Sequence, residues 1–307
     1  MRPIGELTPD LGSRANSLWL AAKCVGTAAM LVATSLYATG CSAPERPTQR
    51  VDLSTDDLRF PGGIPSDVEA TLGSVVLVYN GDNGALTGFK VGPNGVLTAG
   101  HGFPDRTCTN ADIKFGDPGD AHAIKAQKLV DGYRTHKGTP TGPSDLALVM
   151  LPTVSNFQSL PSIVPAKDHT LAVGDQLYLA SDQDSASVGH IVDTTNIVEA
   201  VYIGVDTRTG LDVAITVASQ NTEAPFFGAS GGPVELADGE AVGVMTGGFF
   251  SPDGEELEFD TESAGQATGL SLYVDGKPLD SIIPFEFTPL DGRNADQRWP
   301  RVPAVRC

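Results

Sequence analysis

The sequence predicts an all-β protein. Glycine and proline are both abundant, with 35 and 22 residues in a chain of 307, and such a composition indicates many turns. Short runs rich in Val, Leu and Ile recur between these turns, as is typical of strands. Long helical periodicity is absent, apart from a weak pattern near the C-terminus. The runs fall into two groups of about six, which predicts two packed β-barrels or one large β-sandwich.

The N-terminal 41 residues resemble an export signal. Basic residues precede an apolar stretch at 24–40, and small residues lead from it to Cys41. A basic start, an apolar core and a small-residue exit are typical of secretory signals. The sequence ATGC, which ends at Cys41, also resembles a bacterial lipobox, in which the cysteine is lipidated. We expect an exported membrane lipoprotein that faces the periplasm or the cell exterior. A cleaved signal without lipid, giving a secreted protein, and an uncleaved anchor are the alternatives.

Net charge and cysteine count limit the partners further. The formal net charge of −18 argues against nucleic acid as a partner, because no basic face is evident to neutralise phosphates.

The four cysteines have different expected fates. Cys24 would leave with the signal and Cys41 would carry lipid, so Cys108 and Cys307 remain. An even pair in an oxidising compartment predicts a disulfide; two free thiols are the alternative.

Residues 42–63 are rich in proline and charge, and we interpret them as a tether. We assign an N-terminal barrel to 64–165. Its expected strands are apolar runs, and a Gly-Pro-Asn-Gly turn at 92–95 joins two of them. The runs lie at 73–80, 85–101, 122–132 and 145–151.

A second series of apolar runs predicts a C-terminal barrel, with a tail, over 166–307. These runs are short and separated by turn residues, as is typical of strands. They lie at 175–180, 188–203, 211–219, 240–250 and 269–276.

Three side chains suit acyl transfer by serine, which needs a nucleophile, a base and a group that orients the base. His101 ends VLTAGH after a strand, Asp145 begins the strand DLALVML, and Ser230 lies in the glycine cluster GASGG. The chain order is therefore His, Asp, Ser. An α/β-hydrolase elbow would need a histidine after Ser230, and none follows it. Subtilisin-like order would need an aspartate before His101 and a helical α/β fold, which this strand-rich sequence does not suit.

The motifs LTAGH, DLALV and GASGGP, in this order and spacing, resemble the trypsin/chymotrypsin-like serine peptidases in their bacterial form. The resemblance covers roughly residues 70–285. It implies two six-stranded antiparallel β-barrels with the active site between them. Ser230 would be the nucleophile, His101 the base, and Asp145 the group that orients the imidazole. The backbone N–H groups of Gly228 and Ser230 would form the oxyanion hole.

The same resemblance suggests a specificity pocket. Ala224 stands where a residue that selects charge often lies, so a basic P1 side chain would be buried without a partner, at a high cost. Small or apolar P1 residues are therefore expected. Phe227, Met245, Thr246 and Gly248 would line the pocket, with Thr246 placed to hydrogen-bond Asp145.

The expected function is that of a serine endopeptidase acting on protein or peptide substrates. The chemistry needs no metal or organic cofactor, and we expect a monomer. Ala229 departs from the family, because many relatives carry at this position an aspartate that pairs with a new amino terminus. The alternative is therefore a catalytically inactive, protease-like binding protein of the cell envelope.

Overall fold

The structure is a computed structural model of the chain. It describes residues 48–60, 63–80, 85–103, 108, 111–115, 122–131, 135–136, 139–140, 145–166, 169–182, 195–206, 209–216, 229–248, 265, 268–279, 282–290 and 305–306. None of the helices in these ranges is long and apolar enough to cross a membrane.

Strands dominate the described residues, and the helices are short. The strands are β1 (Gln49–Leu53), β2 (Val75–Asn80), β3 (Ala85–Val91), β4 (Gly95–Ala99), β5 (Ala111–Phe115), β6 (His122–Lys125), β7 (Lys128–Asp131), β8 (Thr135–His136), β9 (Thr139–Pro140), β10 (Leu146–Met150), β11 (Gln176–Asp182), β12 (Thr195–Val205), β13 (Asp212–Thr216), β14 (Pro233–Glu235), β15 (Ala241–Gly248), β16 (Leu270–Val274), β17 (Lys277–Pro278), β18 (Ile283–Pro289) and β19 (Val305–Arg306). The helices are α1 (Ser66–Thr71), α2 (Ser155–Ser159) and the 3₁₀ turns Leu72–Ser74 and Gly100–Gly102.

Six strands of the C-terminal half form a closed antiparallel barrel in the order β11, β12, β13, β18, β15, β14. The barrel closes because β11 pairs with both β12 and β14. Alternate residues of its strands point inward, and the interior holds Leu177, Leu179, Val198, Ala200, Val234, Val242, Met245, Phe285 and Phe287.

Seven strands of the N-terminal half form one sheet with β19, in the order β19, β7, β10, β4, β3, β2, β5, β6, whereas β8 and β9 form a separate two-stranded sheet. Its far strand β6 is separated from β7 by only Ala126 and Gln127. The Ala126 N–H donates to the Ala111 carbonyl at 2.9 Å, and the Gln127 N–H donates to the Met150 carbonyl at 2.8 Å. The chain therefore bends between β6 and β7, so that β6 pairs with β5 and β7 pairs with β10 on the other side of the curled sheet. This confirms the predicted all-β, chymotrypsin-like fold class, with one closed six-stranded barrel. In place of the predicted first six-stranded barrel, the N-terminal half has a curled eight-stranded sheet, a half-barrel.

The strands between the two barrels are buried on both faces. On β4, Val96 packs in the core of the N-terminal sheet, whereas the next residue, Leu97, belongs to a second apolar cluster. That cluster also contains Phe89 of the N-terminal sheet and Val244 of the closed barrel. Burial on both faces explains why β4 and β10 have near-continuous apolar sequences.

A third layer covers the outside of the closed barrel. Strand β1 pairs in parallel with β16, which pairs with β17. Val51 and Leu53 are both 4 % exposed and pack in one cluster with residues of β12 and β13. The interpretation of 42–63 as a tether therefore needs correction for its second half. The alternating sequence QRVDL supplies an apolar face that an unpacked tether would leave in water.

Candidate active site

His101 lies in the 3₁₀ turn that follows β4. The side-chain amide of Asn80, at the end of β2, donates to the Gly102 carbonyl at 2.7 Å. A Cβ at Gly102 would lie 1.8 Å from Cδ1 of Leu86, so glycine allows the turn to pack closely on β3. The position of the imidazole is thus determined by the neighbouring strands.

Asp145 faces His101 because of the register between β4 and β10. Ala99 pairs with Leu146 at the end of this antiparallel ladder. Asp145 precedes that pair on one strand and His101 follows it on the other, so both lie at the same edge. The His101 N–H donates to Asp145 Oδ1 at 2.7 Å, and Nδ1 lies 2.7 Å from Asp145 Oδ2.

This two-point contact defines the protonation of the imidazole. A carboxylate can only accept hydrogen bonds, so the Nδ1 atom beside Asp145 carries a proton and Nε2 is left as the basic nitrogen. Burial of His101 lowers its pKa, but the hydrogen bond and the negative charge of Asp145 outweigh burial, and the pKa of His101 is raised above its ordinary value. His101 is thus a base whose protonated form is stabilised.

Ser230 lies half-buried before β14, in a turn that packs on the N-terminal sheet. Its carbonyl accepts from the Thr87 N–H of β3 at 2.9 Å. The Gly231 N–H donates to the Met245 carbonyl at 2.7 Å. The serine loop is therefore anchored to both barrels, on β15 of the closed barrel and on β3, which pairs with the strand β4 that leads to His101.

Gly231 shows why this loop needs glycine. Its φ is +94°, and a Cβ there would lie 1.9 Å from the Thr87 carbonyl oxygen and 2.3 Å from Thr98 Oγ1. Thr98 itself donates to the same Thr87 oxygen at 2.6 Å. The loop can therefore approach β3 and β4 this closely only without a side chain.

Gly231→Ala is expected to lower the free energy of unfolding by about 3 kcal/mol, because left-handed strain adds to overpacking. Gly92→Ala is the matched control, since Gly92 has φ +64° but nothing within 4 Å of an added Cβ. The control should lose only about 1 kcal/mol. Urea unfolding measures both variants, and equal losses would contradict the close approach at Gly231.

Several predicted site residues lie outside the described residues. These are Cys41, Ala224, Phe227, Gly228 and Cys307. Cys108 is described and is 1 % exposed. The lipidation site, the oxyanion donor at 228, two pocket positions and the disulfide partner stay predictions.

The predicted pocket residues on β15 have other contacts. Met245 is 1 % exposed and packs in the barrel interior. The hydroxyl of Thr246 donates to the Glu286 carbonyl at 3.1 Å, so the predicted hydrogen bond to Asp145 is wrong. The register shifts between Met245 and Gly247, and this bulge turns Thr246 towards β18. Gly248 ends the same strand.

Two residues of the site were missed in the sequence. Asn80 supports the His101 turn, and Thr288 accepts from the Asp145 N–H at 3.2 Å. The only signal for Asn80 is a polar residue that ends an apolar strand. Thr288 has no local signal, because its partner lies 143 residues away.

Two β-barrels in contact, with a histidine–aspartate pair and a glycine-rich serine loop at the contact, define the trypsin-like class of serine peptidases. A model of the trypsin-like peptidase domain matches residues 86–244, more than half of the 307 residues. The chain belongs to the trypsin-like peptidase family. The matched segment contains His101, Asp145 and Ser230.

Solved structures similar to this chain include Deg5, the MamO protease domain from Magnetospirillum magneticum and an inactive mutant form of Rv3671c from M. tuberculosis H37Rv, each with 17 % identity. The alignments cover 59, 71 and 75 % of this chain and 83, 92 and 91 % of those chains, respectively. The TM-scores are 0.43, 0.44 and 0.43. No curated protein sequence matches the chain.

Proposed function

We propose that the protein is a serine endopeptidase that hydrolyses peptide bonds outside the cytoplasm through Ser230, His101 and Asp145. The observation that supports this most strongly is the contact of both Asp145 carboxylate oxygens with His101, at 2.7 Å each. It leaves Nε2 as the basic atom of His101, which follows β4, and the Ser230 loop is hydrogen-bonded to β3, the neighbour of β4. Such an arrangement serves a base that takes a proton from a hydroxyl.

In the acylation half of the reaction, Ser230 Oγ attacks the carbonyl carbon of the scissile peptide bond. The hydroxyl proton passes to His101 Nε2, and the charge of Asp145 stabilises the resulting imidazolium. The backbone N–H groups of Gly228 and Ser230 would stabilise the negative oxygen of the tetrahedral intermediate. When the C–N bond breaks, Nε2 returns the proton to the leaving amine, and an acyl-enzyme remains.

In the deacylation half, water replaces the amine. His101 Nε2 takes one proton from the water while its oxygen attacks the acyl carbon. The second tetrahedral intermediate then collapses, the bond to Ser230 Oγ breaks, and Oγ recovers the proton from Nε2. The product is a carboxylic acid, and the enzyme returns to its starting protonation state.

A fluorophosphonate probe tests this assignment, because it forms a bond with an activated serine Oγ. We expect labelling of the folded wild type and none of Ser230→Ala. The exposed Ser159 in α2 provides the matched control, and Ser159→Ala should label like the wild type. Cleavage of an unstructured protein such as casein should follow the same pattern. No labelling of folded wild type would contradict the proposal.

The absence of labelling would favour the second candidate, a protease-like protein that binds peptides without cutting them. The feature in its favour is Ala229, which is fully buried and provides no carboxylate for an activating ion pair. If the serine loop needs that ion pair for its order, the oxyanion hole would be incomplete. Peptide binding without turnover would then be measured by calorimetry.

For the peptidase, we propose a preference for small or apolar P1 residues. Ala224 supports it, because a basic P1 side chain would meet no carboxylate there. Cleavage of a peptide library measures the preference directly. A clear preference for Arg or Lys at P1 would contradict it.

We propose export and lipidation at Cys41 on the basis of the signal-like sequence before it. Mass spectrometry of the mature N-terminus distinguishes the three alternatives. An acylated Cys41 is expected, whereas a free Cys41 or an uncleaved N-terminus would contradict lipidation.

A bond between Cys108 and Cys307 is also proposed. Its support is that the chain end returns to the N-terminal sheet, where Val305 pairs with Leu129 of β7, and that Cys108 is buried among the core residues of that sheet. Peptide mapping without reduction should recover the two cysteines in one linked fragment.

A further inference from the structure

Thr288 connects the two barrels at the carboxylate beside His101. It lies in β18 of the closed barrel, is 0 % exposed, and pairs with Val244 of β15. Its Oγ1 accepts a hydrogen bond from the Asp145 N–H at 3.2 Å. Asp145 precedes β10 of the N-terminal sheet. This hydrogen bond therefore crosses from one barrel to the other.

The Asp145 N–H needs such an acceptor. The ladder between β10 and β4 ends at the pair Leu146–Ala99, so Asp145 lies just beyond it. Asp145 is only 8 % exposed, and a buried N–H without an acceptor is strongly disfavoured. The threonine hydroxyl supplies the acceptor from outside the sheet.

The neighbouring threonine on β15 does not fill this role. The hydroxyl of Thr246 contacts the Glu286 carbonyl of β18 at 3.1 Å, whereas the Asp145 N–H donates to Thr288. Thr288 lies in β18, two residues after Glu286, and contacts Asp145 of the N-terminal sheet. A β-branched side chain has a restricted χ1, which holds Oγ1 in one direction.

We infer that Thr288 is a positioning residue for the proposed peptidase reaction, which anchors the backbone of Asp145 so that both carboxylate oxygens meet His101. The inference rests on the proposed function, because it concerns the base of that reaction. Thr288 acts through Asp145 and does not contact the reacting atoms itself. Its effect therefore appears in the basicity of His101.

The basicity of His101 provides a readout that a loss of stability alone would not change. The hydrogen bond and the charge that raise the pKa of His101 both come from Asp145. Asp145 is the charged side chain that acts on this imidazole among the described residues. A carboxylate that moves away from the imidazole would raise this pKa less, so the pH at which the base becomes active would fall.

The experiment measures the rate of fluorophosphonate labelling against pH for the wild type, Thr288→Val and Thr288→Ser. Val keeps the shape of Thr but has no acceptor, so labelling should slow by about tenfold at pH 8, and the midpoint should fall by about half a pH unit. Ser keeps the acceptor and should restore both values. Thr216→Val is the matched control: Thr216 is a buried threonine in β13 of the same barrel, and its loss should leave the midpoint unchanged.

The outcomes separate this inference from the proposed function. If the wild type is labelled at Ser230 and Thr288→Val keeps its rate and midpoint, the inference alone is wrong. If the folded wild type is not labelled, both are wrong. If Thr288→Val does not fold, Thr288→Ala takes its place, and equal midpoints for Thr288→Ala and Thr288→Ser would overturn the inference.

Discussion

Asp145→Asn is expected to slow the proposed peptidase reaction by about 10⁴-fold, the loss known for the same exchange in a trypsin-like triad. Both carboxylate oxygens accept hydrogen bonds from His101, one from the backbone N–H and one from the ring. Asn has one oxygen and one NH₂ group. Because the backbone N–H always donates, the asparagine oxygen stays with it, and the NH₂ faces Nδ1.

The imidazole can match this NH₂ only by changing its tautomer. Nδ1 then becomes the acceptor, and the proton moves to Nε2. A protonated Nε2 cannot take the proton of Ser230, so the base is lost while the geometry is kept. We therefore expect nearly unchanged stability together with the large loss of rate.

The measurement is the rate of peptide cleavage and of fluorophosphonate labelling at pH 8, with the unfolding temperature recorded for each variant. Asp112→Asn is the matched control, because Asp112 lies in the same sheet but pairs with Lys125 at 3.3 Å. The control should keep the wild-type rate. A folded Asp145→Asn variant that reacts as fast as the wild type would show that Asp145 does not orient the base.

The strands that could be predicted are those whose burial is visible locally. The runs at 85–101 and 145–151 contain β3, β4 and β10, because strands packed on both faces need apolar residues at nearly every position. The turn at 92–95 lies between β3 and β4, with φ +64° at Gly92. Local sequence was sufficient in these places.

The strands that were missed depend on distant partners. Strand β18 contains Pro284 and ends at Pro289, and proline normally argues against a strand. It is nevertheless a central strand, because it pairs with both β13 and β15. Strand β14 has only three residues, too few for any periodicity.

The histidine–aspartate pair could be predicted from the sequence, but its supporting hydrogen bonds could not. His101 and Asp145 each lie at a strand end, and the antiparallel register then places them together. The choice between Thr246 and Thr288 depends on one β-bulge, and a bulge exchanges the faces of the residues beyond it. Local sequence does not reveal the position of that bulge.

Glu235, two residues after Pro233 in β14, is a buried carboxyl outside this pair. It is 0 % exposed, and its Oε1 has no hydrogen-bond partner among the described residues. Its Oε2 lies 2.8 Å from Thr71 Oγ1, which is also 2.7 Å from the Val68 carbonyl. The hydroxyl has one proton for two acceptors, so a neutral Glu235 that donates to Thr71 fits this geometry best. Burial raises the pKa of Glu235 to about 8.

The raised pKa predicts that the protein loses stability as the pH rises. The unfolded chain releases the Glu235 proton near its ordinary value of 4.5, whereas the folded chain keeps it until about 8. Between pH 4.5 and about pH 8 the folded state binds one proton more than the unfolded chain. The free energy of unfolding therefore falls by about 1.4 kcal/mol per pH unit in this range. The stabilisation is complete below 4.5 and is lost above 8, and its total is on the order of 5 kcal/mol.

Glu235→Gln isolates this effect, because Gln stays neutral and its NH₂ can donate to Thr71 at every pH. The difference in unfolding free energy between Glu235→Gln and the wild type should therefore grow from pH 5 to pH 8 and stay constant above it. Urea unfolding at each pH measures this difference. Glu240→Gln, an exposed carboxyl near the same strand, is the control and should follow the wild-type curve. Parallel curves for Glu235→Gln and the wild type would mean that Glu235 is ionised in the folded protein. The single Thr71 hydroxyl proton could then be donated to only one of its two neighbours, the Val68 carbonyl or Glu235 Oε2.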